Sequence, residues 1–436
     1  MLSAFRSALA TPDLRKKILF TLGIVAVYRL GANIPSPGVS YPNVQVCLRQ
    51  VEGSDSSGVY SLINLFSGGA LLQLSVLALG IMPYITASII VQLLTVVIPR
   101  FEQLKKEGQS GQNKLTQYTR YLTIALAILQ STGIVALADR GQLFGNCSLP
   151  VIPDSTVYGL SVIVIVMTAG TAVVMWLGEQ ITEHGVGNGM SLLIFTSIAH
   201  RIPAEGKNIL DNSGALVFAG VCVFGLAIIA SVVFVEQGQR RIPVQYAKRM
   251  VGRRMYGGTS TYLPLKVNQA GVIPVIFGSS LLYLPDLVAR LAGSQGGPFQ
   301  QFVQTYVANQ SNWVHILLYV ALIVFFTYFY VGITFSPDER ADEMKKFGGF
   351  IPGIRPGRPT AEYLNFVLSR ITLPGSLYLG IIAVLPNFFL GITGSGQNQN
   401  FPFGGTAVLI MVGVGLDTVK QIESQLMQRN YEGFLR

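Results

Sequence analysis

The chain has 436 residues, half of them hydrophobic and 12% charged, with a formal net charge of +10 and a mean hydropathy of +0.49. Soluble domains carry charge on roughly 25% of their residues, so this composition excludes a soluble globular enzyme and describes a polytopic membrane protein. Three cysteines do not make a disulfide scaffold. The surplus of Lys and Arg points to basic cytoplasmic loops, or to a surface that meets RNA or an acidic partner.

The chain opens with "MLSAFRSALATPDLRKK", which is polar and basic. The apolar stretch that follows from Ile18 has no small-residue cleavage site behind it, so it is expected to stay as the first span. Hydrophobic periodicity and length then predict ten spans, at 18–34, 74–98, 118–138, 155–178, 189–202, 214–235, 268–291, 313–335, 371–392 and 404–423. The region before and within the second span is unusual. Residues 60–97 form one uncharged apolar run that as a single helix would reach ~57 Å, nearly twice a bilayer's hydrocarbon core. It carries Gly68, Gly69 and Pro83, which a straight helix resists.

Sidedness follows from Lys and Arg. With a cytoplasmic N-terminus, the opposite side receives Arg49, Arg140 and Lys207 between spans and Arg201 at a span end, far fewer than the cytoplasmic segments hold. Both termini are therefore expected in the cytoplasm. Five spans fall on each side of the loop near residue 205, giving halves at 1–204 and 205–436. An odd number of spans per half makes any structural relation between them an inverted repeat about an axis in the membrane plane, an arrangement that often encloses a midplane path. No sequence repeat links the halves. Two cytoplasmic loops, 236–267 and 336–370, are long and basic. Topology is set by charges near span ends, so loops of this length with paired arginines point to docking on phosphate or acidic protein.

Catalytic signals are weak. The three histidines, His184, His200 and His315, have no metal-ligand spacing. "GVGLD" (413–417) only faintly resembles an intramembrane aspartyl-protease motif, and "GVGNG" (185–189) lacks the context of a phosphate loop. The serious alternative to a channel is an ion-coupled secondary transporter, but such carriers bury acids near the bilayer centre. Here Asp139, Glu179, Asp286 and Asp417 lie toward span ends, and Arg29 is the most embedded charge. A third possibility is a structural scaffold without a pore.

Seven long stretches resemble the SecY family, the central channel subunits of the bacterial secretion translocon. They are "NLFSGGAL", "LGIMPYITASIIVQLLTVV", "KKEGQSGQNKLTQYTRY", "WLGEQITEHGVGNGMSLLIF", "VVFVEQGQRRIPVQYAKR", "LPLKVNQAGVIPVIF" and "FIPGIRPGRPTAEYL". The likeness runs in order from the first span to the last. It implies an all-α polytopic membrane protein, with ten transmembrane helices in two pseudosymmetric inverted five-helix halves. The implied function is to conduct unfolded secretory polypeptides and to release apolar segments sideways into lipid. No cofactor is implied.

The resemblance also implies site residues. A folded-back plug covers residues 60–72 and includes Tyr60, Leu62, Ile63, Asn64, Leu65, Phe66, Ser67, Gly68 and Gly69, with the second span beginning near Gln73. A pore ring falls on Ile81, Ile85, Met190, Ile194, Ile276 and Ile410. Such an apolar constriction sheds water and ions yet stretches around a peptide, and methionine adds compliance. A lateral gate lies between spans two and three and spans seven and eight. Its matching polar positions are Gln92, Gln130 and Asn268, expected to hydrogen-bond across the closed gate. Arg240, Arg241, Lys248, Arg249, Arg253, Arg254 and Arg355 fall on a docking surface for the SecA motor and the ribosome. SecE and SecG are the implied small membrane partners, and a bacterial inner membrane the implied location. Cys47 and Cys147 both fall in expected outer loops, where a disulfide can form. Cys222 falls inside the sixth span.

Overall fold

The computed structural model describes residues 10–51, 67–141, 143, 149–246, 249–251, 254–256, 260–291, 297–308, 312–392 and 405–432. Helix α1 (Pro12–Ala32) starts on a proline with Asp13 in its first turn and carries Arg29 in its last, the order the helix dipole favours. A short helix α2 (Tyr41–Val51) follows. Helix α3 (Met82–Val97) stops at Ile98, which the following proline holds extended at φ −104° and ψ 113°. The chain then bends by 100° into α4 (Pro99–Lys106).

Three long helices come next. They are α5 (Gln109–Asp139), α6 (Val157–His184) and α7 (Gly189–Gln237). Thr156 caps α6 by accepting from the Gly159 amide, and Asn188 caps α7 by accepting from Met190 and Ser191. Helix α7 is broken at Gly214, whose φ of 84° and ψ of 165° are not helical. The second half holds α8 (Ile273–Leu291), α9 (Pro298–Phe302) with a π-turn at Val303–Ala308, α10 (Trp313–Thr334), α11 (Pro337–Lys346), α12 (Arg358–Ile392) and α13 (Gly405–Glu432).

Helices thus lie over all ten expected spans. Six are long and apolar enough to cross a membrane, or seven if α3 and α4 count as one span, among the described residues. The protein is an all-α multi-pass membrane protein. Helix α5 packs on α3 and α6, α6 on α7, and α7 on α13, while α10 packs on α8 and α12. Helix α8 meets both α3 and α5, joining the two groups.

Two expectations are corrected. The second helix begins at Met82, not near Gln73. Between them the chain makes successive turns, with left-handed φ at Gly68, Gly69, Leu74 and Gly80, which no continuous helix accommodates. Its backbone bonds go sideways to the segment after α1, through Ser36 N to Leu74 O at 3.0 Å and Val76 N to Ile34 O at 2.9 Å. Gly170 of α6 packs so closely here that a Cβ would collide with the Val76 carbonyl. Second, the expected outer loop 203–213 is helical, and the break comes at Gly214 instead. Polar residues on an exposed helix mimic a loop in a hydropathy reading.

The two basic loops contain strands. The first contains β1 (Gln239–Tyr246), β2 (Arg249–Val251), β3 (Arg254–Tyr256) and β4 (Ser260–Lys266), and the second contains β5 (Gly349–Phe350). Strands β4, β1 and β5 form one antiparallel sheet. Its register places Gln245 opposite Phe350 and Tyr246 opposite Gly349, so the loops are stitched to each other.

Candidate functional site

The six positions for which the resemblance implies a ring come from four separate segments. Ile81 is the residue before α3 and Ile85 lies one turn into it. Met190 and Ile194 lie in the first turns of α7, Ile276 in the first turn of α8, and Ile410 in α13. All six meet in one apolar cluster, with Ile24, Tyr28 and Leu77 beside them. Exposure is 1% at Ile81, 4% at Ile194, 8% at Ile276 and 1% at Ile410, and Ile85 and Met190 are half-buried. Ile81 is not itself helical, but its carbonyl accepts from the Ile85 amide at 3.1 Å. That bond stacks the two side chains as a helical turn would.

Next to this cluster, residues 67–69 form a tight turn. Ser67 is fully buried, and its Oγ accepts from the Leu71 amide at 3.2 Å. Gly68 and Gly69 have φ of 65° and 91°, which side-chain-bearing residues resist. Tyr60, Leu62, Ile63, Asn64, Leu65 and Phe66 lie outside the described residues.

The expected gate residues are not bonded to one another. Asn268, buried in the bend before α8, donates through Nδ2 to Glu236 Oε1 at 2.6 Å and to the Gly271 carbonyl at 3.0 Å. Its Oδ1 is buried with no partner. Gln92 donates to Ser88, one turn back on its own helix, at 3.5 Å. Gln130 is half-buried on α5. The reason is placement: Asn268 precedes its helix, so its near neighbour is the end of α7, not the middle of α3 or α5. A different bond does run between the helix groups. Lys105 Nζ of α4 donates to the Ile333 carbonyl in the last turn of α10 at 3.2 Å, where the helix dipole favours a cation. Asp417 of the "GVGLD" stretch lies 3.7 Å from Lys266.

On the stitched sheet, Arg240 and Arg241 are exposed while Ile242 and Val244 turn inward. Ile242, Leu265 and Ile351 share a core with Val331, Phe335 and Leu364, so the helix ends carry the sheet. Arg249 and Arg254 belong to the β2–β3 pair, whereas Lys248 and Arg253 lie outside the described residues. Arg355 is exposed, and its carbonyl accepts from Thr360 Oγ1 at 2.9 Å. Cys47 is disulfide-bonded and Cys222 is a free, half-buried thiol, with Cys147 outside the described residues.

One strong contact escaped sequence reasoning. Arg120 of α5 holds Glu179 of α6 in a two-pronged pair, Nε to Oε1 at 2.9 Å and Nη2 to Oε2 at 2.8 Å. The only signal was one charge of each sign in neighbouring apolar spans.

A SecY family model matches residues 75–419. The protein translocase subunits SecY of Mycobacterium bovis, Mycobacterium leprae and Streptomyces coelicolor are 71%, 69% and 63% identical to this chain, each over the full length of both. A solved protein-conducting channel superposes with a TM-score of 0.65 at 18% identity, covering 94% of this chain and 91% of that one. Sec61 from a canine ribosome–channel complex of the endoplasmic reticulum gives 0.60 at 17%, with the same coverage. At those identities the solved structures speak for the fold. The family match over most of the chain, together with relatives of such high identity, establishes that the chain belongs to the SecY family.

Proposed function

We propose that the chain is a protein-conducting channel that passes unfolded secretory polypeptides across the membrane and releases apolar segments laterally into lipid. The observation that carries this reading is the meeting of Ile81, Ile85, Met190, Ile194, Ile276 and Ile410 in one apolar cluster built from both halves. Branched aliphatic side chains without donors or acceptors, with one thioether that accepts only weakly, make a waist that repels water and ions. They also offer a passing chain dispersion contacts and no hydrogen bond that would hold one sequence. The buried turn at 67–69 next to this cluster supports a plug over 60–72. The packing of α8 on α3 and α5 supports a lateral gate there, with Gln92, Gln130 and Asn268 near it.

In this reading ten spans cross a bacterial inner membrane in two inverted halves, and both termini face the cytoplasm. The stitched basic sheet and the Arg355 loop lie on that side. They dock SecA and the ribosome, with Arg240, Arg241, Lys248, Arg249, Arg253, Arg254 and Arg355 as the contact cations. SecE and SecG complete the membrane assembly. The chain itself is not an enzyme, and the energy for transport comes from the docked partner. The transporter alternative gains no support from the relatives' names or the solved neighbours.

The test is a crosslink. A photoreactive side chain at position 81 or 410 should form adducts with a stalled secretory chain, whereas one at lipid-facing Phe325 should not. Equal labelling at all three positions, or none at 81 and 410, overturns the proposal.

A further inference from the structure

Helix α10 stops just before Pro337. That proline has no N–H to offer the Ile333 carbonyl four residues back, and it holds Ser336 extended, at φ −90° and ψ 104°. The Ile333 carbonyl is therefore one of the terminal acceptors that a helix leaves open. Its partner comes from outside the helix. Lys105 Nζ of α4, 228 residues away in the chain, donates to it at 3.2 Å. Lys106, the other lysine at that end of α4, is taken by Glu102 one turn back, at 2.6 Å. Position as well as charge thus selects Lys105.

Both sides of this bond are braced. On the donor side, α4 lies hard against the start of α5. A Cβ at Gly111 would collide with the Leu104 carbonyl, and the rings of Phe101 and Tyr118 meet at 5.4 Å. On the acceptor side, Val331 and Phe335, two residues before and after Ile333, are buried in the core that joins α10 to the basic sheet. The bond therefore ties one body, α3 with α4 and α5, to another, α10 with the sheet. We propose that Lys105 is a positioning residue: it caps α10 from α4 and so clasps the sheet end of the seam between these two bodies. Lys105 is exposed, so the clasp is weak, which suits a seam that must part for each apolar segment. The proposal rests on the lateral gate proposed above and places a tie outside its apolar stretch.

The experiment uses the full chain with its partner subunits in proteoliposomes. Nitroxide labels go on Gln103→Cys of α4 and Asp342→Cys of α11, both exposed, in a Cys222→Ser background that removes the free thiol. Dipolar electron-spin spectroscopy reads the distance between them. Lys105→Met should raise the population of wider separations about threefold, the scale of one charge at a helix end. It should also increase export of substrates with weakened signal sequences. Lys105→Arg, which keeps a cation and its donors, should match the parent on both readouts. The unfolding temperature should stay within about two degrees in either variant, and a large fall would make Lys105 a support of the fold and overturn the clasp. An unchanged distance distribution in Lys105→Met also overturns it, as does a widening that Lys105→Arg shows equally. A widening that Lys105→Arg lacks, with export unaltered, keeps the clasp and removes the gate reading instead.

Discussion

The apolar waist and the cytoplasmic sheet are built on opposite terms. The waist gathers side chains separated by hundreds of residues, from the turn before α3, the start of α7, the start of α8 and α13, into a buried cluster with no charge in it. The sheet is chiefly a local hairpin, β1 on β4, to which the second loop adds the short β5; its aliphatic side chains face the helix ends and its arginines face water. A change at the waist should therefore act through packing and desolvation. A change on the sheet should leave the fold intact and act through whatever docks there.

Four substitutions sharpen that contrast, in order of their expected effect on stability. Ile410→Asp places a carboxylate in a site that is 1% exposed, which costs several kcal/mol without a partner. Thermal unfolding of the purified protein in detergent should show a transition lowered by many degrees or none at all. A transition within a degree or two of the parent would mean that the waist is wet. Glu179→Ala leaves Arg120 without its two-pronged acceptor. Buried pairs lose ~3–5 kcal/mol when one partner goes, and the partial exposure of Arg120 scales this to about 2 kcal/mol. Arg120→Met in the same background should recover most of the loss, and the double-variant cycle measures how much.

Asn268→Leu comes third. It removes the donor to Glu236 but also an unpaired buried oxygen, and these oppose each other, so the net loss should be only about 1 kcal/mol. The sensitive readout is export of substrates with weakened signal sequences, expected to change because the start of α8 loses its tie to α7. Export identical to the parent's would separate Asn268 from the gate. Arg355→Glu is last. It lies on an exposed turn, so its unfolding free energy should move by no more than about 0.5 kcal/mol. Motor-driven transport should nevertheless fall at least tenfold, in line with the docking role proposed for this surface. Normal transport would take Arg355 out of that surface.

The same contrast decides what was readable beforehand. Apolar runs marked the helices because a bilayer demands about twenty apolar residues wherever a helix crosses. Gly68 and Gly69 marked a break because few other residues take left-handed backbone angles. The start at Met82 was less visible. Leu74 and Val76 are as apolar as helix residues, and only their backbone bonding to Ser36 and Ile34 shows that they are not helical. The strands escaped for a similar reason. Residues 239–246 alternate in burial only because α10 and α12 supply something to bury against. The bond from Asn268 to Glu236 crosses 32 residues and depends on how two helix ends meet. The ring positions came from likeness to a family, since any one isoleucine in a membrane span could as well face lipid.

By itself the order of residues determined which segments favour lipid, which loops carry positive charge, and where the backbone must bend, because those follow from transfer free energies and local dihedral freedom. It could not determine which aliphatic faces meet at the waist, which acceptor Lys105 finds, or that two loops share a sheet. Each of those depends on the relative rotation and tilt of helices far apart in the chain. That is set by the simultaneous packing of many side chains, and it exists only in the folded molecule.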